Sequence, residues 1–261
     1  MNESPVFPMA PTRFTGESRE VDPGACFDWL RQGWTMFLVN PGVWIGSTLL
    51  LLIILMAISV MPFFSRLAAD LILPVIFGQI AVSSLMPLFG AGMVQICRDI
   101  GEERQPEIAD LFSGFSRNSG QLVTVGILFA AGIFGIAFVA FLLASGGLFG
   151  GGLTGKVAGY AISFGGVMLA SLLVMVLSVP VIMATWFAPA LVFFHDMKPL
   201  DAMKASFAAG ARNFLPMAVF SIFLVVTLFF SMLPVGMGLL LLLPVASGAV
   251  YASYRDIFVG S

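Results

Sequence analysis

The stretch Gly150-Gly151-Gly152-Leu153-Thr154-Gly155-Lys156-Val157 carries the spacing of a phosphate-binding loop, in which backbone amides cradle phosphates and a lysine reaches them. Val157 stands where a magnesium-holding Ser or Thr would be needed. The stretch also follows an apolar run rather than a strand, so it reads as a glycine-rich turn and not as a nucleotide site. A more regular polar feature is a basic residue or histidine followed by aspartate: Arg98-Asp99, His195-Asp196 and Arg255-Asp256. Two readings of these pairs are open. They could form a ring that binds lipid phosphate head groups or a partner protein. Alternatively, the cation could complement a helix C-terminus and snorkel to the head groups, with Asp pairing to a basic residue of a neighbouring helix.

Other chemistry is thin. His195 is the single histidine, which excludes a multi-histidine metal site, and Cys26 and Cys97 lie far apart with no Cys-x-x-Cys spacing. There is no Ser-His-Asp set, carboxylate pair or metal-ligand cluster to assign. The expectation is a protein that is not an enzyme and holds no cofactor or metal. Gln79, Ser83, Ser84 and Gln95 are the polar exceptions within an apolar run, and Gln79 and Ser83, four apart, share one helix face. They could line a cavity or hydrogen-bond between helices. Trp29, Trp34, Trp44 and Trp186 read as anchors at the membrane interface rather than a ligand cage.

The elements that must hold these residues follow from composition. Of 261 residues, 59% are hydrophobic and 10% charged, against about 25% charged in an ordinary soluble domain. Mean hydropathy is +1.02. A soluble fold of this size would lack polar residues to cover it, so the chain reads as an integral, all-α membrane protein. The net charge of -2 argues against nucleic acid as a partner. Residues 1–22 carry charge, proline and no apolar core, and read as a mobile tail rather than a signal peptide; 23–258 read as one membrane domain.

Six spans are expected. Apolar runs cover Val43–Phe64, Leu67–Cys97, Leu122–Ala144 and Val157–Phe194, and two more share Phe214–Tyr254 with a turn near Pro234. Arg13, Arg19, Arg31, Arg98, Arg104, Arg117, Lys198, Lys204, Arg212 and Arg255 then fall on one side, with only Arg66 and Lys156 on the other. The excess of basic residues places both termini in the cytoplasm. On the far side, Arg66 and Asp70 are spaced to pair across a helix start, and Ser145–Lys156, with six glycines, reads as a flexible connection.

The unit repeats three times, over about 23–101, 105–197 and 198–258. Pro87 and Pro244 lie equally far ahead of Asp99 and Asp256, with small residues between. Ahead of each odd span, Pro23, Pro106 or Pro199 opens a segment with an apolar stripe: Phe27, Leu30, Trp34, Phe37; Ile108, Leu111, Phe112, Phe115; Leu200, Met203, Phe207, Phe214. Asn40, Asn118 or Asn213 then precedes the span. Three amphipathic cytoplasmic helices at the interface, each followed by a membrane hairpin, are the expected architecture.

The stretch Phe187-Ala188-Pro189-Ala190-Leu191-Val192 through Lys198-Pro199-Leu200-Asp201-Ala202-Met203 to Asn213-Phe214, and the ending Tyr251-Ala252-Ser253-Tyr254-Arg255-Asp256-Ile257-Phe258, resemble a family of uncharacterised six-span inner-membrane proteins of Gram-negative bacteria. More remotely they are similar to the membrane domain attached to some bacterial glycerophosphodiester phosphodiesterases. The resemblance implies a fold and a bacterial inner-membrane location but no activity, since none of the phosphodiesterase catalytic residues accompany it. The function expected is binding of membrane lipids or another membrane protein in envelope organisation or assembly. The alternative is a transporter of an apolar or lipid-like substrate, which needs no intramembrane charge.

Overall fold

A computed structural model describes Phe14 and residues 17–64, 72–153 and 156–259. The described residues form helices and turns without a strand. In chain order the helices are α1 (Ala25–Val39), α2 (Pro41–Phe64), α3 (Ile72–Gly101), a 3-10 turn (Ile108–Phe112) running into the single turn α4 (Ser113–Ser116), α5 (Ser119–Leu153), α6 (Lys156–Trp186), α7 (Ala188–His195), α8 (Pro199–Arg212), α9 (Phe214–Met232) and α10 (Leu239–Tyr254). A π turn, Arg255–Val259, extends α10.

Among the described residues, five segments are long and apolar enough to cross a membrane: Pro41–Val60, Ile76–Gly101, Ser119–Gly150, Ala158–His195 and Phe214–Met232. The α10 helix has 16 residues, or about 24 Å at 1.5 Å per residue, short of a hydrocarbon core of about 30 Å.

The glycine-rich connection expected over Ser145–Lys156 is instead helix up to Leu153, and α6 starts at Lys156. In lipid the backbone must satisfy its own hydrogen bonds, which outweighs the entropy that glycine loses in a helix. The glycines serve close packing: a Cβ on Gly147 would lie 2.8 Å from the Gly166 Cα across the α5–α6 contact. Of the phosphate-loop-like stretch, 150–153 end a helix; Thr154 and Gly155, like the expected Arg66–Asp70 pair, lie outside the described residues.

The long run Val157–Phe194 is divided at Phe187. Pro189 is the second residue of α7 and cannot donate to the carbonyl one turn back. The hydroxyl of Ser206, from α8, enters the gap. It accepts from the Phe187 N–H at 3.0 Å and donates to the Met183 carbonyl at 2.6 Å. These two backbone groups would otherwise bond each other, so a side chain has been inserted into the helix ladder, a recognised cause of kinks.

Each lead-in segment docks on a return helix. The Ile108–Ser116 segment lies on α3, with Leu111 against Gly92 and Gly114 against Leu88. The α8 helix lies on α6, with Gly210 against Met183. The α1 helix lies on α10, where Gly33 meets the backbone of Val245 and Ala249 and the Cα of Gly33 sits beside Gly248. The faces so buried differ from the expected stripes. In α8 they are Ala202, Ser206, Ala209 and Gly210, while Leu200 and Phe207 stay exposed. In α1 they include Cys26, Trp29, Gly33 and Met36, while Phe27 and Trp34 stay exposed. Small residues let backbones approach, and the large apolar ones stay outside the contact. The second segment, expected as an amphipathic helix, is only the 3-10 turn and α4, because Leu111 and Gly114 are pressed against the α3 backbone.

Two tryptophans expected at the interface are core residues. Trp29 and Trp44 are fully buried, and Trp44 Nε1 donates to the Met36 carbonyl at 3.1 Å, tying α2 to α1. Part of the stretch read as a mobile tail is held in place. The Arg19 N–H donates to the Ile257 carbonyl at 2.9 Å, and the Val21 N–H to Asn213 Oδ1 at 2.9 Å.

Candidate functional site

Side chains at the ends of α3, α7 and α10 meet the starts of α5 and α9 in one polar plane. At the end of α3, the Asp99 carboxylate accepts from Gln95 Nε2 at 2.9 and 3.0 Å and from Arg104 Nε at 2.8 Å. Arg104 also pairs with Glu102, which bonds Arg98 Nε at 2.7 Å. The Arg98 guanidinium stands 5.3 Å over the Phe194 ring, linking this corner to α7.

At the end of α7, Asp196 adopts a left-handed backbone, φ 54°, which closes the helix as a C-terminal residue. Its carboxylate accepts from Asn118 Nδ2 at 2.6 Å and Arg117 Nη2 at 3.1 Å. The Asn118 amide, foremost, and Arg117 hold this carboxyl below the usual carboxylate range. Asn118 Nδ2 also donates to the Val192 carbonyl at 2.9 Å, joining the start of α5 to α7. His195 bonds the Tyr254 hydroxyl of α10 and carries the Phe14 ring stacked on it at 3.5 Å.

The third corner closes the chain on itself. Asp256 pairs with Arg19 and accepts from the buried Trp29 indole at 2.9 Å. Asn213, at the start of α9, donates to the Arg19 carbonyl at 2.9 Å. Arg98 and Arg255 both lie within electrostatic reach of Tyr251 and Tyr254.

The structure thus gathers Arg98, His195 and Arg255 around α10, and gives each of Asp99, Asp196 and Asp256 an arginine partner. Sequence reasoning missed Gln95, Glu102, Phe14, Tyr254 and Trp29 at this site. The i, i+4 spacings Gln95–Asp99 and Arg98–Glu102 were a usable signal; the contacts of Phe14, Trp29 and Tyr254 are tertiary and had none. Gln79 is exposed, whereas Ser83 is buried where its backbone meets Gly126 of α5. Among the described residues no three of His, Cys, Asp and Glu gather as metal ligands. An apolar groove of about 540 Å³ runs between α6, α9 and α10, lined by Val179, Met183, Trp186, Phe214, Ile222 and Leu242 among others.

Against curated proteins, the chain is similar to one described as a probable inner membrane protein of Burkholderia thailandensis, 28% identical over 202 residues, covering 74% of this chain and 70% of that one. The chain is an integral, multi-pass inner-membrane protein. No family model matches it, and no solved structure does. The likeness supports the expected family of bacterial inner-membrane proteins; nothing in it points to the phosphodiesterase-linked membrane domain.

Proposed function

We propose that this inner-membrane protein is not an enzyme and binds anionic lipid or a membrane partner through its polar plane, in envelope organisation or assembly. The carrying observation is the pair of helices beside that plane, α1 and α8. Each docks one face on the bundle and leaves Phe27 and Trp34, or Leu200 and Phe207, exposed. Such a face is too short to span and too apolar for water, and suits the boundary between head groups and acyl chains. Arg98, Arg104 and Arg117 stand at that plane beside acidic partners, Arg255 follows α10, and Lys198, Lys204 and Arg212 belong to α8 or cap it; a basic group near an anionic leaflet contributes roughly 1 kcal/mol.

The same reading takes α10 with its π turn as a sixth span and both termini as cytoplasmic. A threefold repeat is supported by the docking pattern: each lead-in segment lies on the return helix of the repeat before it, and α1 lies on that of the last. The transporter alternative gains from the apolar groove, which suits an apolar or lipid-like substrate.

Native mass spectrometry of the protein in native-lipid discs tests the proposal. Ala substitutions at Arg98 and Arg255 should each lower anionic-lipid retention modestly and at His195, whose ring bonds Tyr254, less, with the triple variant close to the sum of the two arginine effects. A triple variant that keeps its lipid would leave the plane a topological anchor only. Impermeant thiol labelling should reach a cysteine placed at Lys156 from outside and one at Lys204 only from inside.

A further inference from the structure

The helices that leave the polar plane are of very different lengths. Their near ends are level, because Arg98 meets Phe194, His195 meets Tyr254, Asn118 meets Asp196, and Asn213 at the start of α9 and Asp256 after α10 both hold Arg19. From that plane α5 runs 35 residues and α9 runs 19. The excess of 35 over 19 is 16 residues, or about 24 Å at 1.5 Å per residue. The return helices repeat the difference, with 31 residues in α6 before α7 adds more, against 16 in α10.

The lengths bracket the bilayer. The α9 helix, about 28 Å long, matches a hydrocarbon core of about 30 Å when upright, and α10 falls short of it. The α5 helix, about 52 Å long, exceeds both the core and the roughly 40–45 Å that includes head groups. Its far part is not built for water: Phe141, Leu148 and Phe149 on α5 and Phe164 on α6 are exposed and apolar, with Phe149 at 77%. Standing clear of the membrane would expose all of them. Tilting the hairpin and thickening the lipid beside it carries only a modest cost per ångström.

We infer that the chain imposes two hydrophobic thicknesses on the bilayer around it, thick along a tilted α5–α6 hairpin and thin along α9–α10. The occupant of the α5–α6 face is lipid, with the longest acyl chains fitting there best. This rests on membrane embedding alone, so loss of head-group binding at the polar plane would leave it standing.

The test places spin labels at Phe149 and Val235 in the full chain, reconstituted into phosphatidylcholine vesicles of short, medium and long acyl chains. Depth is read from collision with oxygen and with a water-soluble nickel chelate. In medium-chain lipid both labels should sit near the far interface. Shortening the chains should bring Phe149 into water first; lengthening them should bury Val235 first. A Phe149 label in bulk water at every chain length would overturn the inference, as would equal shifts of the two labels. Dipolar broadening between Phe149 labels on two copies would put protein rather than lipid on the tip and would overturn it too. Circular dichroism of each labelled chain guards against misfolding, and a repeat with the label at Leu148 instead of Phe149 keeps the test decisive.

Discussion

Replacing Ser206 by alanine removes one hydroxyl that serves two backbone groups. Ser206 is fully buried, and its Oγ sits between the Phe187 N–H and the Met183 carbonyl. In membrane proteins such interhelical bonds measure about 0.6 kcal/mol on average and up to about 1.7 kcal/mol. Two lost bonds therefore cost about 1–2 kcal/mol if the ladder stays open. Reclosure of the Phe187–Met183 bond would return part of that, but the α7 turn holding Pro189 would have to rotate. The expected result is a loss of about 1–2 kcal/mol in reversible detergent unfolding. It should come with faster amide exchange in α8, because the hydroxyl also pins that helix to α6. A variant as stable as the parent, with unchanged exchange over 199–212, would show that the hydroxyl is a bystander and that proline alone makes the break.

Two further outcomes are expected. Gly33→Ala should destabilise the chain by about 1–3 kcal/mol, because the added Cβ falls on the Val245 carbonyl oxygen and lies 2.7 Å from the Ala249 nitrogen. Reversible detergent unfolding reads that loss, and a variant as stable as the parent would mean that α1 seats on α10 without close backbone contact. The Asp196 carboxyl, depressed by Asn118 and then Arg117, contributes stability that is fully present above its unfolded-state pKa and is lost as pH falls through its lower folded value. The tie between α5 and α7 should therefore persist through the ordinary carboxylate range on acidification and loosen only below it, as followed by amide exchange at the start of α5. Asn118→Leu should move that loosening to higher pH.

The apolar runs made most of the membrane helices legible, because a span must be long, apolar and helical whatever surrounds it. The break at Phe187 was not legible. Pro189 announced a disturbance, but its place was set by Ser206, a residue from another helix. The lead-in faces were misread for a related reason. In water a stripe such as Leu200, Met203 and Phe207 would face the core, whereas next to lipid the close contact goes to Ala202, Ala209 and Gly210. At the polar plane the Asp residues stood out by type and spacing. Their pairing with Arg19, Trp29 and Asn118 did not, although Asn118 stood out by its place ahead of a span, because the contacts join segments as much as 237 positions apart.

The seat of α1 on α10 also bears on how the protein is made. Translation releases α1 well before the surface that receives Gly33, along Val245, Gly248 and Ala249. Asp256, which takes the Arg19 side chain and the Trp29 indole, follows later still. Until then Trp29 and Met36, buried in the finished fold, have no completed core to enter. Insertion can proceed hairpin by hairpin, but the seat of α1 must be closed by a step that joins it to α10, made much later. Quality control that senses exposed α1 would in effect be reading whether synthesis had reached the end of α10.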